Sequence, residues 1–248
     1  MKSHDNTREK ECYFFKFGLL VTGQAEEKHL PKLFRTLMEL RICHFEVIRK
    51  VEQLGVITSE KKIKMVGSGK DILNKDAQRI GFPARDYLKN PCNYVLLLDD
   101  LEHNRIDHAQ EIFDRYRKAL DTILMSQKHR ASVHFLVNML EAYYFADPDT
   151  VNSVLGTSLN YYEGDVETIR HPKGKLKDVY QGFKEIEHGG KILESLNIEY
   201  VLSNPNTCAS LRTLFAWCVK ALGQPFTDKY QLQEGKLSEI TKSQLDNL

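Results

Sequence analysis

No stretch of this chain approaches the roughly 18–20 consecutive apolar residues that a membrane-spanning helix requires, so a transmembrane helix is not expected. Cysteine is sparse and unpatterned. Cys12, Cys43, Cys92, Cys208 and Cys218 lie far apart with no C-x-x-C pair. Such spacing argues against a disulfide framework or a zinc site, and leads us to expect scattered reduced thiols in an intracellular protein. Charge of one sign is also lacking: 35 basic against 34 acidic side chains leave a net charge of +1. The chain is thus neither a strongly basic nucleic-acid module nor an acidic one, and any polyanion binding has to come from local patches. Met1 to Lys10 is polar and mixed in charge, unlike a signal peptide, so a cytoplasmic location is expected. Internal repeats and low-complexity linkers are missing as well, which favours one domain over 1–248.

The apolar content is ample. Hydrophobic residues make up 42% of the chain, enough for a sizeable core. Tyr13 to Val21 has strand length and ends at Gly23. From Glu26 to Leu40, the apolar residues Leu30, Leu33, Phe34, Leu37 and Met38 follow helical spacing. Phe45 to Arg49 reads as a short strand, and Gln53 to Gly69 as a hairpin or a mobile basic loop. Asn93 to Asp99 encloses Tyr94, Val95, Leu96, Leu97 and Leu98 without a polar break, the pattern of a strand covered on both faces. A helix over His108 to Gln127, a strand over Ser132 to Val137 and a helical turn over Met139 to Ala146 continue the alternation. Strand alternating with helix implies an α/β fold, a mostly parallel sheet flanked by helices with Rossmann-like layering. Residues 12–150 form this core. Residues 151–248 read as a helical C-terminal elaboration, with one good helix over Thr207 to Ala221 and a loosely ordered polar tail after Gln231.

Acidic residues collect where open α/β sheets bind ligands, at the carboxyl ends of the strands. Glu26 and Glu27 follow the first strand across a Gly-containing turn. Asp99, Asp100 and Glu102 end the central strand, and Glu141 lies four residues beyond the next one. Carboxylates converging on one crevice repel one another, and a divalent cation compensates them. Hard oxygen donors without a nearby thiolate suit Mg²⁺ or Mn²⁺, which can activate water and stabilise a phosphoryl transition state. The plainer reading of the same residues is helix capping and dipole pairing.

Taken together, Val21-Thr22-Gly23-Gln24-Ala25-Glu26-Glu27, Asp100-x-Glu102, Leu140-Glu141-Ala142-Tyr143-Tyr144-x-Ala146-Asp147 and His171-Pro172-Lys173 resemble the bacterial domain of unknown function 4276 family over roughly residues 13 to 175. That family is similar to a diverged Toprim domain, the metal-binding fold of topoisomerases, primases and OLD-type nucleases. The resemblance implies that Asp100 and Glu102 form the Asp-x-Asp metal pair, with Asp99 in place of Asp100 if the register is off by one. It also makes Glu141 a further ligand, and Lys173 or Lys175 the partner of a phosphate. The usual first motif is Val-Glu-Gly, whereas this chain has Thr22 at the glutamate position, and Glu26 would take over that role. By the same resemblance the chain is a Mg²⁺- or Mn²⁺-dependent nuclease that cleaves DNA or RNA. It would work with an ABC- or SMC-type ATPase in anti-phage defence, with Glu26, Asp100, Glu102, Glu141 and Lys173 catalytic. The rival expectation is a non-catalytic subunit that docks or regulates the ATPase, and a weaker one is a small-molecule phosphotransferase.

Other signals carry less. Val66-Gly67-Ser68-Gly69-Lys70 lacks the first glycine and the terminal hydroxyl residue of a P-loop. His103 and His108 flank the acidic strand end and could shuttle a proton, though surface histidines are the commoner case. His171, His188, Cys208 and Cys218 lack zinc-site spacing. Tyr143, Tyr144 and Phe145 read as core.

Overall fold

The computed structural model describes residues 12–56, 75–224, 230, 232 and 234–248. Its four strands are β1 (Phe15–Val21), β2 (Cys43–Lys50), β3 (Asn93–Leu101) and β4 (Ala131–Val137). They form one all-parallel sheet in the order β2-β1-β3-β4. From Val95 to Leu101 β3 is buried throughout, with Tyr94 half-buried at its start, because helices cover both faces of the sheet. The alternation of a strand then sorts its side chains. Leu96 and Leu98 join Phe17, Leu19, Val21 and Leu136 on one face, against Trp217 and Phe215. Val95, Leu97 and Leu101 join Leu20, Val133 and Phe135 on the other, against Ile112, Tyr116 and Leu120.

The helices in chain order are α1 (Gln24–His29), α2 (Arg35–Met38), α3 (Phe82–Tyr87), α4 (Ala109–Leu124), α5 (Pro148–Leu155), α6 (Pro172–Val179), α7 (Gly190–Ser195), α8 (Ile198–Ser203) and α9 (Ala209–Ala221). The helix expected over Glu26 to Leu40 is divided, since a 3-10 segment, Leu30–Phe34, separates α1 from α2. Pro31 explains the break, because it has no N–H to donate to the carbonyl four residues earlier. Leu140–Ala146 is likewise a 3-10 turn. The expected hairpin or basic loop after Gln53 and the glycine-rich 66–70 stretch lie for the most part or wholly outside the described residues.

Two expectations are corrected. Cys12 and Cys92 form a disulfide with a Cα–Cα distance of 5.5 Å. They are 80 residues apart in sequence but lie at the same end of adjacent strands, where the Lys16 N–H donates to the Cys92 carbonyl at 3.2 Å. Cys43, Cys208 and Cys218 are free and buried. The tail is also less loose than its polarity suggests. Gln244 is buried, and its amide pairs with the edge of β4, accepting from the Val133 N–H at 2.9 Å and donating to the Val133 carbonyl at 2.7 Å. A side-chain amide thereby stands in for a missing strand. Among the described residues, no helix is long and apolar enough to cross a membrane.

Candidate functional site

The chain leaves β1 toward β2 on one side and enters β4 from β3 on the other, so β1 and β3 flank a topological switch point where the loops part and a crevice opens. Three buried carboxylates face it, those of Glu26, Asp100 and Glu141. Each is placed by a local feature of the backbone.

Glu26 lies in the first turn of α1, and its carboxylate folds back over Gly23. A Cβ on Gly23 would stand 1.7 Å from Glu26 Oε2, so only glycine leaves room for the acid there. Glu27 points outward and pairs with Lys50 at 3.2 Å. Asp100 follows from strand alternation, two residues beyond Leu98 and on the same face as Glu26. Glu141 is delivered by a reversal after β4. Asn138 and Met139 take positive φ values of 54° and 77°, turning the 3-10 segment back over the strand ends. The Leu140 N–H then donates to Asp100 Oδ1 at 3.2 Å. Lys173, at the start of α6, lies 3.7 Å from Glu141 Oε1 and 2.8 Å from Glu185 Oε2.

Asp99 does not share this crevice. Its side chain is fully buried on the opposite face, where Arg105 Nη2 meets Oδ2 at 2.6 Å and Arg105 Nη1 meets Oδ1 at 3.2 Å. Gln53 and Thr22 donate to the same Oδ1 at 2.9 and 3.1 Å. Asp99 is therefore a structural anchor, and the off-by-one metal alternative is set aside. Thr22 is part of the same anchor, because its hydroxyl also accepts from the Asp100 N–H at 3.3 Å. Glu102 is exposed and stands apart from the three acids, at the rim of an adjoining cleft of about 500 Å³ that Lys173 also lines. Lys175 sits over the Tyr162 ring instead, 5.5 Å from its centroid. His108 faces Glu111 at 3.9 Å. Tyr143, Tyr144 and Phe145 are core.

The residues in this arrangement coincide with the span of a known family. Its model, described as domain of unknown function (DUF4276), matches residues 21–217. The chain belongs to the DUF4276 family. No curated protein and no solved structure matches it. The DUF4276 span takes in Gly23, the end of β3, the turn after β4 and Lys173, and so every residue of the acidic cluster.

Burial and mutual repulsion set the protonation of this DUF4276 cluster. Asp100 is held well above the usual carboxylate range, first by burial and then by the charges of Glu26 and Glu141, and it lies within hydrogen-bonding reach of Glu26. Glu141 is raised to about 7, mainly by burial, with Lys173 opposing and Glu185 adding to the rise. Its Oε2 has no hydrogen-bond partner among the described residues. For Lys173, burial favours loss of the proton, but Glu141 and Glu185 outweigh it and the net shift is upward. The donor chemistry fits a hard divalent cation: all oxygen, one oxygen unpaired, and acids that repel one another. As the side chains stand, no three His, Cys, Asp or Glu residues among those described are grouped to hold an ion. Binding would displace Lys173 from Glu141 and the proton from Asp100.

Two acids escaped sequence reasoning. Glu185 is the closest partner of Lys173. Glu167 accepts from the Tyr143 hydroxyl at 3.0 Å and the Ser210 N–H at 2.8 Å, and burial with the Asp165 charge raises it to about 7. No periodicity marks either residue. Glu141 and Glu167 together predict a pH-dependent stability. The folded state keeps protons that the unfolded chain has lost, so their contribution is full below the ordinary glutamate pKa and disappears as pH rises through about 7. Between pH 5 and 8 each should remove on the order of 2 kcal/mol. Urea unfolding at intervals over that range should show the decline in the wild type and a shallower one in Glu141→Gln and Glu167→Gln. Parallel profiles for all three proteins would refute this assignment.

Proposed function

We propose that this chain is a metal-assisted phosphodiester-cleaving protein of Toprim-like type, acting on DNA or RNA, with Glu26, Asp100 and Glu141 as the residues that hold Mg²⁺ or Mn²⁺. The observation that carries the reading is the convergence of three buried carboxylates and one lysine on the switch-point crevice. A cluster of this kind is costly for folding, and its retention is best explained by a ligand that repays the cost. When bound, the cation would neutralise phosphate charge and make water a stronger nucleophile. Lys173 Nζ, on the cleft side of the cluster, orients a phosphate oxygen by a charge-assisted hydrogen bond. The Leu140 N–H fixes the Asp100 carboxylate. Glu141, with its pKa raised to about 7, exchanges a proton readily near neutral pH, as a general acid or base must. The near-zero net charge gives little intrinsic affinity for polyanions, which favours action beside an ABC- or SMC-type ATPase.

A second reading, a non-catalytic subunit that docks on such an ATPase, is favoured by one observation. Thr22, at the family's usual glutamate position, is committed to Asp99 and β3, so no acid enters the crevice from there. Thermal melts separate the two. A ligand that binds only the native state raises the midpoint, and at a hundredfold excess over its Kd it contributes about 2.7 kcal/mol. Millimolar Mn²⁺ or Mg²⁺ should therefore stabilise the wild type, and should stabilise Glu26→Gln markedly less. Cleavage of labelled single- and double-stranded substrates, with the chain alone and with a candidate ABC- or SMC-type ATPase added, should require the same metal. An unshifted midpoint together with no cleavage by the pair would leave the docking subunit.

A further inference from the structure

The cleft beside the acids has a character that metal binding leaves unexplained. Met139, Leu140 and Glu141 are consecutive: the first lines the cleft, the second donates to Asp100, and the third belongs to the acidic cluster. Lys173 borders both spaces, so a molecule filling the cleft ends against the acids. Most of the open surface is apolar. The rings of His103 and His171 stand edge to face with centroids 6.5 Å apart, and Met139 and Pro172 add flat apolar contact. Its volume of about 500 Å³ lies in the range of small-molecule sites.

Asn138 supplies the polar signal. It is 2% exposed, its Nδ2 donates to the Glu167 carbonyl at 2.7 Å, and its Oδ1 has no partner among the described residues. The bond to Glu167 fixes the amide, so the unpaired atom is the acceptor oxygen, held in the wall of the cleft. Backbone strain gathers at the same place. Of the six non-glycine residues with positive φ among those described, Asn138, Met139 and His171 all line this cleft. Strain of this sort persists where the surroundings enforce it, and it clusters at ligand sites.

A flat ring with N–H donors on its edge, attached to a phosphate, matches these surfaces together. We propose that the cleft is a nucleobase pocket, which takes one unstacked base while the adjoining phosphate lies over Lys173. The placement of that phosphate rests on the phosphodiester reading above; the pocket itself rests on the cleft. Aromatic and apolar faces hold an unstacked base by stacking, and amides read its edge.

The test uses the full chain in EDTA, so that binding is read without cleavage. Fluorescence anisotropy compares a short single-stranded oligonucleotide with one of equal length and charge whose bases are replaced by abasic spacers. Calorimetry compares deoxyadenosine 5′-monophosphate with 2-deoxyribose 5-phosphate, which separates a free nucleotide from a strand as the source of the base. The base-bearing member of at least one pair should bind about tenfold tighter or more. His103→Ala and His171→Gly should each remove most of that preference while leaving abasic binding unchanged. Glycine adopts the 55° φ of His171 without strain, so loss of the fold does not confound that variant. Equal binding within both pairs, or no binding of any probe at millimolar concentration, overturns the pocket. Base preference without metal-dependent cleavage would keep the pocket and remove the nuclease. Cleavage without base preference would do the reverse.

Discussion

Replacing Arg105 with leucine is expected to lower the unfolding free energy by about 3–5 kcal/mol, the cost of leaving a buried charge unpaired. Arg105 is 7% exposed and Asp99 fully buried. The guanidinium meets both carboxylate oxygens and also donates to the carbonyls of Asp100 at 2.9 Å and Leu54 at 2.8 Å. Loss of the arginine takes the charged donor from Asp99 Oδ2 and the donor from the Leu54 carbonyl, while Asp99 Oδ1 and the Asp100 carbonyl keep the Gln53 amide. Urea or thermal unfolding measures the effect directly. The double replacement Arg105→Leu/Asp99→Leu should recover part of the loss, because two apolar side chains leave no charge behind. A single variant within 1 kcal/mol of wild type would mean that the pair is weakly coupled to the fold. The consequence reaches the site, because this anchor fixes the end of β3 and with it the direction of Asp100.

That anchor also shows what the sequence could and could not disclose. The apolar run of β3 announced a strand covered on both faces, and the strand–helix alternation announced the parallel sheet. Strand alternation also guarantees that Asp99 and Asp100 face opposite sides. Which side holds the crevice depends on partners that only the folded chain brings together, Arg105 and Tyr116 on one face, Glu26 and Glu141 on the other. The choice between Glu26 and Glu27 was open for the same reason, until the bare backbone of Gly23 was seen to receive the Glu26 carboxylate. Glu141 is a single acid in an aromatic stretch, and its approach depends on positive φ at Asn138 and Met139, neither of them glycine. Nothing local signals such a turn. The Cys12–Cys92 bond likewise joins strands that are adjacent only in space. Glu185, which holds Lys173, and Gln244, which caps β4, are polar residues in segments without periodicity, so their roles arise from tertiary placement alone.

The sharpest separation of candidate ligands is between Asp100 and Glu102, which the sequence offered as a pair. Asp100 is buried against Glu26 and Glu141, whereas Glu102 is exposed on the cleft rim. Asp100→Asn should cut metal-dependent cleavage by about 10²–10⁴-fold, since a ligand oxygen is exchanged for a neutral amide and metal stabilisation of charge is worth several kcal/mol. The fold should survive. The asparagine keeps an oxygen to accept from the Leu140 N–H, and it removes an ionisable group from a cluster where burial and two neighbouring acids already disfavour the charge. Glu102→Gln, at an exposed position, should change the rate by no more than about twofold. Thr22→Glu completes the set. The introduced glutamate would set a carboxylate beside Asp99, break the Thr22 bond to the Asp100 N–H, and destabilise the end of β3 without raising activity. Rates for the three variants with the proposed ATPase partner added, alongside their thermal midpoints, decide the matter. Should Glu102→Gln lose as much as Asp100→Asn, the metal is held at the cleft rim and not in the buried cluster. If neither variant slows cleavage, the catalytic centre lies elsewhere in the chain or on its partner.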